Sequence, residues 1–100
     1  MTIRLAYLLL SLLLCSCAAQ REFVSLSGLR SADFNTNIDG RCAHLYRLVN
    51  HGGMEVCITD YGARIVSVMV PDANGDFGDV VCGFDNVIDY HRYRQNFGAT

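Results

Sequence analysis

Three histidines, His44, His51 and His91, are the side chains of this 100-residue chain suited to proton transfer near neutral pH. None stands at a spacing that makes a catalytic unit. His44 opens a predicted strand, His51 falls in a predicted hairpin turn, and His91 falls on the polar face of a predicted helix. Asp60, Asp79 and Asp85 could supply the paired carboxylates that acid and base work requires, but nothing in the sequence sets the distance between them. Cys42-x-His44 is the closest thiol and imidazole pair. With no second pair at ligand spacing it does not make a zinc site. Asp72-x-Asn74-x-Asp76 begins like a calcium loop, whose alternate oxygens surround the ion. The sixth position is Phe77 where a glycine is needed and the twelfth is Gly83 where a bidentate glutamate is needed, so a solvated β-turn is the expected structure.

The elements that would position these groups centre on Met54 to Gly83. Met54, Val56 and Ile58 alternate with Glu55, Cys57 and Thr59, and Ile65 to Val70 is almost entirely apolar or β-branched, which predicts strands buried on one or both faces. Tyr61-Gly62-Ala63 breaks the period between them. Pro71 to Asp76, with its Asn-Gly pair, predicts a reversal, and Asp79 to Phe84 a returning strand.

Upstream, Asp39-Gly40 is a turn signal, Leu45 to Val49 centres a strand running from Arg41 to Asn50, and His51-Gly52-Gly53 forms a hairpin connection. A short helix is expected near Ser31 to Phe34. Downstream, Asp85 or Asn86 can cap a helix over Val87 to Tyr93, with Val87, Ile88, Tyr90 and Tyr93 as its apolar edge. Short strands joined by Gly, Asn and Asp turns, with one helix near residues 86–93, give an all-β fold, most simply an antiparallel sandwich.

The first residues have another purpose. Arg4 followed by the apolar run Leu5 to Leu14 has the layout of a secretory signal, and the run is too short to span a bilayer. Leu14-Cys15-Ser16-Cys17-Ala18 resembles the bacterial lipoprotein signal, in which a small residue precedes the cysteine that carries a diacylglyceryl thioether. Cys17 fits that position better than Cys15, which follows Leu14.

Residues 1–16 are thus assigned as signal peptide, 17–26 as tether and 27–100 as the folded portion. The expected location is the cell envelope, anchored in a membrane through lipid on Cys17; cleavage after Ala19 would instead release the chain to the periplasm. Cys42, Cys57 and Cys82 then remain, with three possible pairings, or as small apolar residues in or near strands. A formal net charge of −2, with both signs interspersed, offers no basic field for nucleic acid.

A longer pattern runs through the strands. Leu45-Tyr46-x-Leu48-x-Asn50-x-x-Gly53-Met54-Glu55-Val56-x-Ile58-Thr59-x-Tyr61-Gly62-Ala63-x-Ile65-Val66-Ser67-x-Met69-Val70-Pro71-Asp72-x-Asn74-Gly75 resembles the amino-terminal strands of the aldose 1-epimerase, or galactose mutarotase, family. Asp79-Val80-Val81-x-Gly83-Phe84-Asp85, Tyr90 and Asn96-Phe97-Gly98-Ala99 continue it, and Ser27-Gly28-Leu29 with Phe34 to Gly40 resemble the opening of the bacterial exported members.

The resemblance implies a galactose mutarotase-like β-sandwich, a supersandwich, of which residues 27–100 are an incomplete amino-terminal portion. It implies interconversion of the α and β anomers of free aldohexoses without metal, nucleotide or other cofactor. A glutamate base would take the proton from O1 as a histidine acid protonates the ring oxygen. The family's sugar-binding Gly-Arg-x-x-Asn-Arg segment would fall beyond Thr100, and its catalytic histidine and glutamate later still. His44, His51, His91, Glu22 and Glu55 do not match those positions, so the resemblance assigns no catalytic and no substrate-binding residue and implies that the chain is inactive alone. A surface lipoprotein module that binds carbohydrate or a partner without catalysis is the competing reading.

Overall fold

A computed structural model describes residues 21–93 and 98–99. Residues 1–16, expected as a signal peptide, and Cys17 lie outside the described residues. The packed chain starts at Phe23, inside the stretch assigned as tether, with a loop whose ends meet at an antiparallel bridge between Val24 and Arg30. A single 3₁₀ turn at Ser31–Asp33 follows, close to the helix expected there.

Two antiparallel sheets come next. β1 (Asn37–Ile38) and β2 (Arg41–Cys42) form a short hairpin, and β3 (Leu45–Val49), β4 (Glu55–Thr59), β5 (Arg64–Pro71) and β6 (Phe77–Asp79) form a meander in chain order. α1 (Val87–Tyr93) follows the meander. The described residues are all-β with one short α-helix, as the pattern of short runs and turns predicts.

The turns follow their residues. Asp39 and Gly40 both have positive φ, 52° and 83°, the two-residue turn whose twist suits a hairpin, and the β1–β2 register of Ile38 with Arg41 closes around them. At the β5–β6 reversal the Asp72 carboxylate accepts the backbone N–H groups of Asn74 at 2.8 Å and Asp76 at 2.9 Å. Asn86 caps α1, accepting from the Asp89 amide at 2.9 Å, while its own amide donates to the Asp89 carboxylate.

Alternation in β4 does not say which set of side chains points inward, and the inward set is the more polar one: Glu55, Cys57 and Thr59 are buried, Val56 and Ile58 only half so. A bulge opposite Cys57 and Ile58 lets β5 place two successive residues, Val66 and Ser67, on that same inner side. Leu45, Cys57 and Val66 there join Leu29 and Phe34 from the amino-terminal turns and Val87 and Tyr90 from α1 to form the core. The helix buries only Val87 and Tyr90, three residues apart on one face. Ile88 and Tyr93, expected on its apolar edge, are exposed, Tyr93 at the helix end with its ring stacked on Phe84 at 5.5 Å. On the far side of the sheet the cross-strand rows carry Tyr46, Leu48, Val56, Ile58, Ile65, Val68 and Val70, all partly or largely exposed.

The returning strand is shorter and earlier than the Asp79 to Phe84 run predicts. After Val80 N–H reaches the Val68 carbonyl at 3.0 Å, pairing stops. The Asp79 carboxylate takes the Val68 amide at 3.0 Å, and also the Val81 amide at 3.0 Å, so a side chain occupies the donor that a continuing strand would use. Residues 81–84 run on without strand pairing, and Gly98 and Ala99 occupy the remaining end of β5, with Ile65 N–H donating to the Gly98 carbonyl at 2.8 Å. Asp79→Ala leaves two amides without that acceptor. We expect a loss of about 1–2 kcal/mol, read as a lowered urea midpoint at unchanged slope.

Candidate functional site

The three histidines do not converge. His44 is tied to the β4–β5 turn: the Asp60 carboxylate accepts the His44 backbone N–H at 2.7 Å through one oxygen and lies 3.0 Å from Nδ1 through the other. Asp60 therefore pairs with neither Asp79, which caps the β6 end, nor Asp85. The pair is exposed enough for water and salt to screen it, so it contributes at most about 1 kcal/mol. His91 is half-buried on α1 rather than on a free polar face, with Nδ1 2.9 Å from the Tyr61 hydroxyl and the two rings edge to face. His51 is exposed in the β3–β4 turn, and Glu22 is exposed ahead of the packed loop.

Beside Asp60 an open cleft of about 460 Å³ separates the β1–β2 hairpin from the β4–β5 turn, with Asp39, Arg41, Asp60 and Tyr61 supplying its polar and aromatic lining. One step further, the Arg64 guanidinium lies over the rings of Tyr61 and Tyr90, 5.5 Å and 5.2 Å from their centroids. Its Nε and Nη1 are buried without a hydrogen-bond partner among the described residues. Burial raises the Tyr90 hydroxyl above its ordinary pKa, against the lowering effect of the Phe84 amide and Arg64.

A second polar group lies under the amino-terminal loop. Glu55, 1% exposed, accepts the Leu26 amide at 2.8 Å, and the free Cys57 thiol lies 3.9 Å from the same carboxylate oxygen. Ser25, Ser27 and Ser67 form a chain of hydroxyls alongside, with contacts of 2.8 Å and 3.1 Å. Burial pushes the Cys57 thiol up, the Glu55 charge adds to that, and contacts with Ser67 and Ser25 oppose it; the thiol is held protonated. This seam has only a faint sequence signal, the polar set of the β4 alternation together with Ser67 inside an apolar run. The Tyr61–His91 contact has none, since the two residues are thirty apart.

No cluster of three or more metal-ligating side chains occurs among the described residues. The Asp72 carboxylate is committed to backbone amides of its own turn, as a β-turn requires. Cys42 is disulfide-bonded, but to neither Cys57 nor Cys82, both free thiols, so none of the three pairings among these cysteines forms. Cys57 is a small buried strand residue, as its alternative reading has it, whereas Cys82 is exposed.

A sequence model of the aldose 1-epimerase family matches residues 44–100, which takes in the whole β3–β6 meander and α1. A probable aldose 1-epimerase from Arthroderma benhamiae is 57% identical over 30 residues. That stretch is 30% of this chain and 7% of that protein, so the match spans a small part of its relative. No solved structure matches. With the family pattern running across the four-stranded sheet, the turns between its strands and the helix behind it, the chain belongs to the aldose 1-epimerase family.

Proposed function

We propose that this chain is the amino-terminal part of a lipid-anchored aldose 1-epimerase that interconverts the α and β anomers of free hexoses such as glucose or galactose, and that by itself it is scaffold without activity. The observation that carries the reading is the family match over residues 44–100, which coincides with a continuous sheet. Mutarotation needs one group to remove the O1 proton while another protonates O5. Among the described residues, the one histidine–carboxylate ion pair is His44–Asp60, and its two partners are turned toward each other. His91 Nδ1 is engaged with Tyr61 and Glu55 is sealed inside. None of these offers an acid and a base set on opposite sides of a sugar ring. The proposed anchor is a diacylglyceryl thioether on Cys17, which would hold the protein at the cell envelope.

The test is polarimetry of freshly dissolved α-glucose and α-galactose with the full chain. The rotation should relax at the buffer rate; faster relaxation would overturn the assignment as inactive scaffold. The cleft beside Tyr61, with carboxylates and an arginine around an aromatic face, favours a second reading, a module that binds carbohydrate without turning it over. Saturable shifts of Asp60 and Tyr61 resonances on adding galactose, with no change in mutarotation, would select it.

A further inference from the structure

We infer that residues 23–31 form a strap that lifts from the sheet as one piece, without the sheet itself unfolding, and that the thiol of Cys57 is the group it covers. The strap is closed on itself. The Phe23 amide donates to Ser31 Oγ at 2.8 Å, the Ser31 amide returns to the Phe23 carbonyl at 3.0 Å, and the Ser25 amide donates to the Leu29 carbonyl at 2.9 Å. Its polar attachments to the sheet are made instead by side chains of three neighbouring strands, and the Cys57 thiol itself meets Ser25.

From β3, Arg47 lies 4.9 Å from the centroid of the Phe23 ring and reaches the Val24 carbonyl at 3.5 Å. From β4, Glu55 accepts the Leu26 amide, and from β5, Ser67 accepts the Ser27 hydroxyl. Lifting the strap breaks these attachments and withdraws Leu29 from the core, yet it leaves both the strap's own hydrogen bonds and the β3–β4–β5 ladders intact. A unit that keeps its internal bonds and the sheet's bonds on opening is the kind that opens below the global unfolding free energy. Beneath it Cys57 is fully buried and free, in contact with Glu55.

The experiment is site-resolved maleimide labelling of the full chain, read by mass spectrometry, with the exposed free thiol of Cys82 as internal reference. Cys57 should label slowly in the native protein, at a rate that rises much less steeply with urea than global unfolding does. Glu55→Gln, which exchanges a charged acceptor of the Leu26 amide for a neutral one, and Ser27→Ala, which removes the hydroxyl contacts to Ser25 and Ser67, should each speed Cys57 labelling about threefold. Hydrogen exchange of the β4 and β5 ladder amides should not change. Labelling of Cys57 that follows the full urea slope of unfolding in the unmodified chain would overturn the proposal. So would variants that speed labelling and ladder exchange equally. The unmodified protein decides the matter even if a variant fails to fold.

Discussion

Tyr90→Ala will lower the unfolding free energy by about 4 kcal/mol, the cost of emptying a large aromatic site in a core that cannot collapse around it. Tyr90 is 1% exposed and sits where three parts of the chain meet. Its ring lies edge to face against Phe84 at 5.0 Å and tilted against Phe34 at 6.5 Å, and Arg64 covers it at 5.2 Å. Its hydroxyl accepts the Phe84 amide at 3.1 Å. Tyr90→Phe separates the two contributions. It keeps the ring and removes only the acceptor, so it should cost about 1–2 kcal/mol. Small domains have of the order of 5–10 kcal/mol to lose, so the alanine variant should be largely unfolded at modest urea concentrations. A loss below about 1 kcal/mol, measured by urea titration of the far-ultraviolet circular dichroism, would mean that α1 does not dock on the sheet through this residue.

Gly83→Ala should cost about 2–3 kcal/mol, although Gly83 is an exposed residue in a segment without regular structure, where substitutions are ordinarily near neutral. A methyl group there would stand 2.6 Å from the Val66 carbonyl oxygen and 2.7 Å from the Tyr90 hydroxyl. The first belongs to the backbone of β5 and the second to a packed core ring, so neither can swing aside. Gly78→Ala, five residues before Gly83 and with open space around the new methyl group, is the matched control and should change stability by less than about 0.5 kcal/mol. Equal effects at the two positions would show that the close approach of residue 83 to β5 is not formed.

Local chemistry was readable where the cause is local. Asp39-Gly40 states its own turn, Asn86 and Asp89 state a helix start, and Val87 to Tyr93 begins and ends where the capping signal and apolar spacing place it. What was not readable depends on partners far along the chain. The inward side of β4 is chosen by the loop at 23–31, which brings its own serines and a bare amide to Glu55, so a polar row is buried while Val56 and Ile58 stay half-exposed. The strand expected at residues 79–84 has the composition for pairing, but a carboxylate bond to an amide eleven residues earlier ends it. The family pattern was legible for another reason, because it rests on the order and spacing of many residues at once. The acid and base groups of the chemistry have no such pattern within these residues, and among the described residues no histidine and carboxylate come together in a catalytic arrangement.

The outer side of β5 is covered in instalments: β6 over its last residues, the Asp79 side chain at Val68, the backbone of Gly83 against Val66, and Gly98 with Ala99 over its start. A bare strand with that apolar composition would be a template on which a neighbouring molecule could zip. Among the described residues the Ile65 and Val68 amides on that side are already taken, and the partner strand that does form is only three residues long. The patchwork thus acts against intermolecular growth along the outer side of β5, keeping a long apolar strand from being read by a neighbouring molecule.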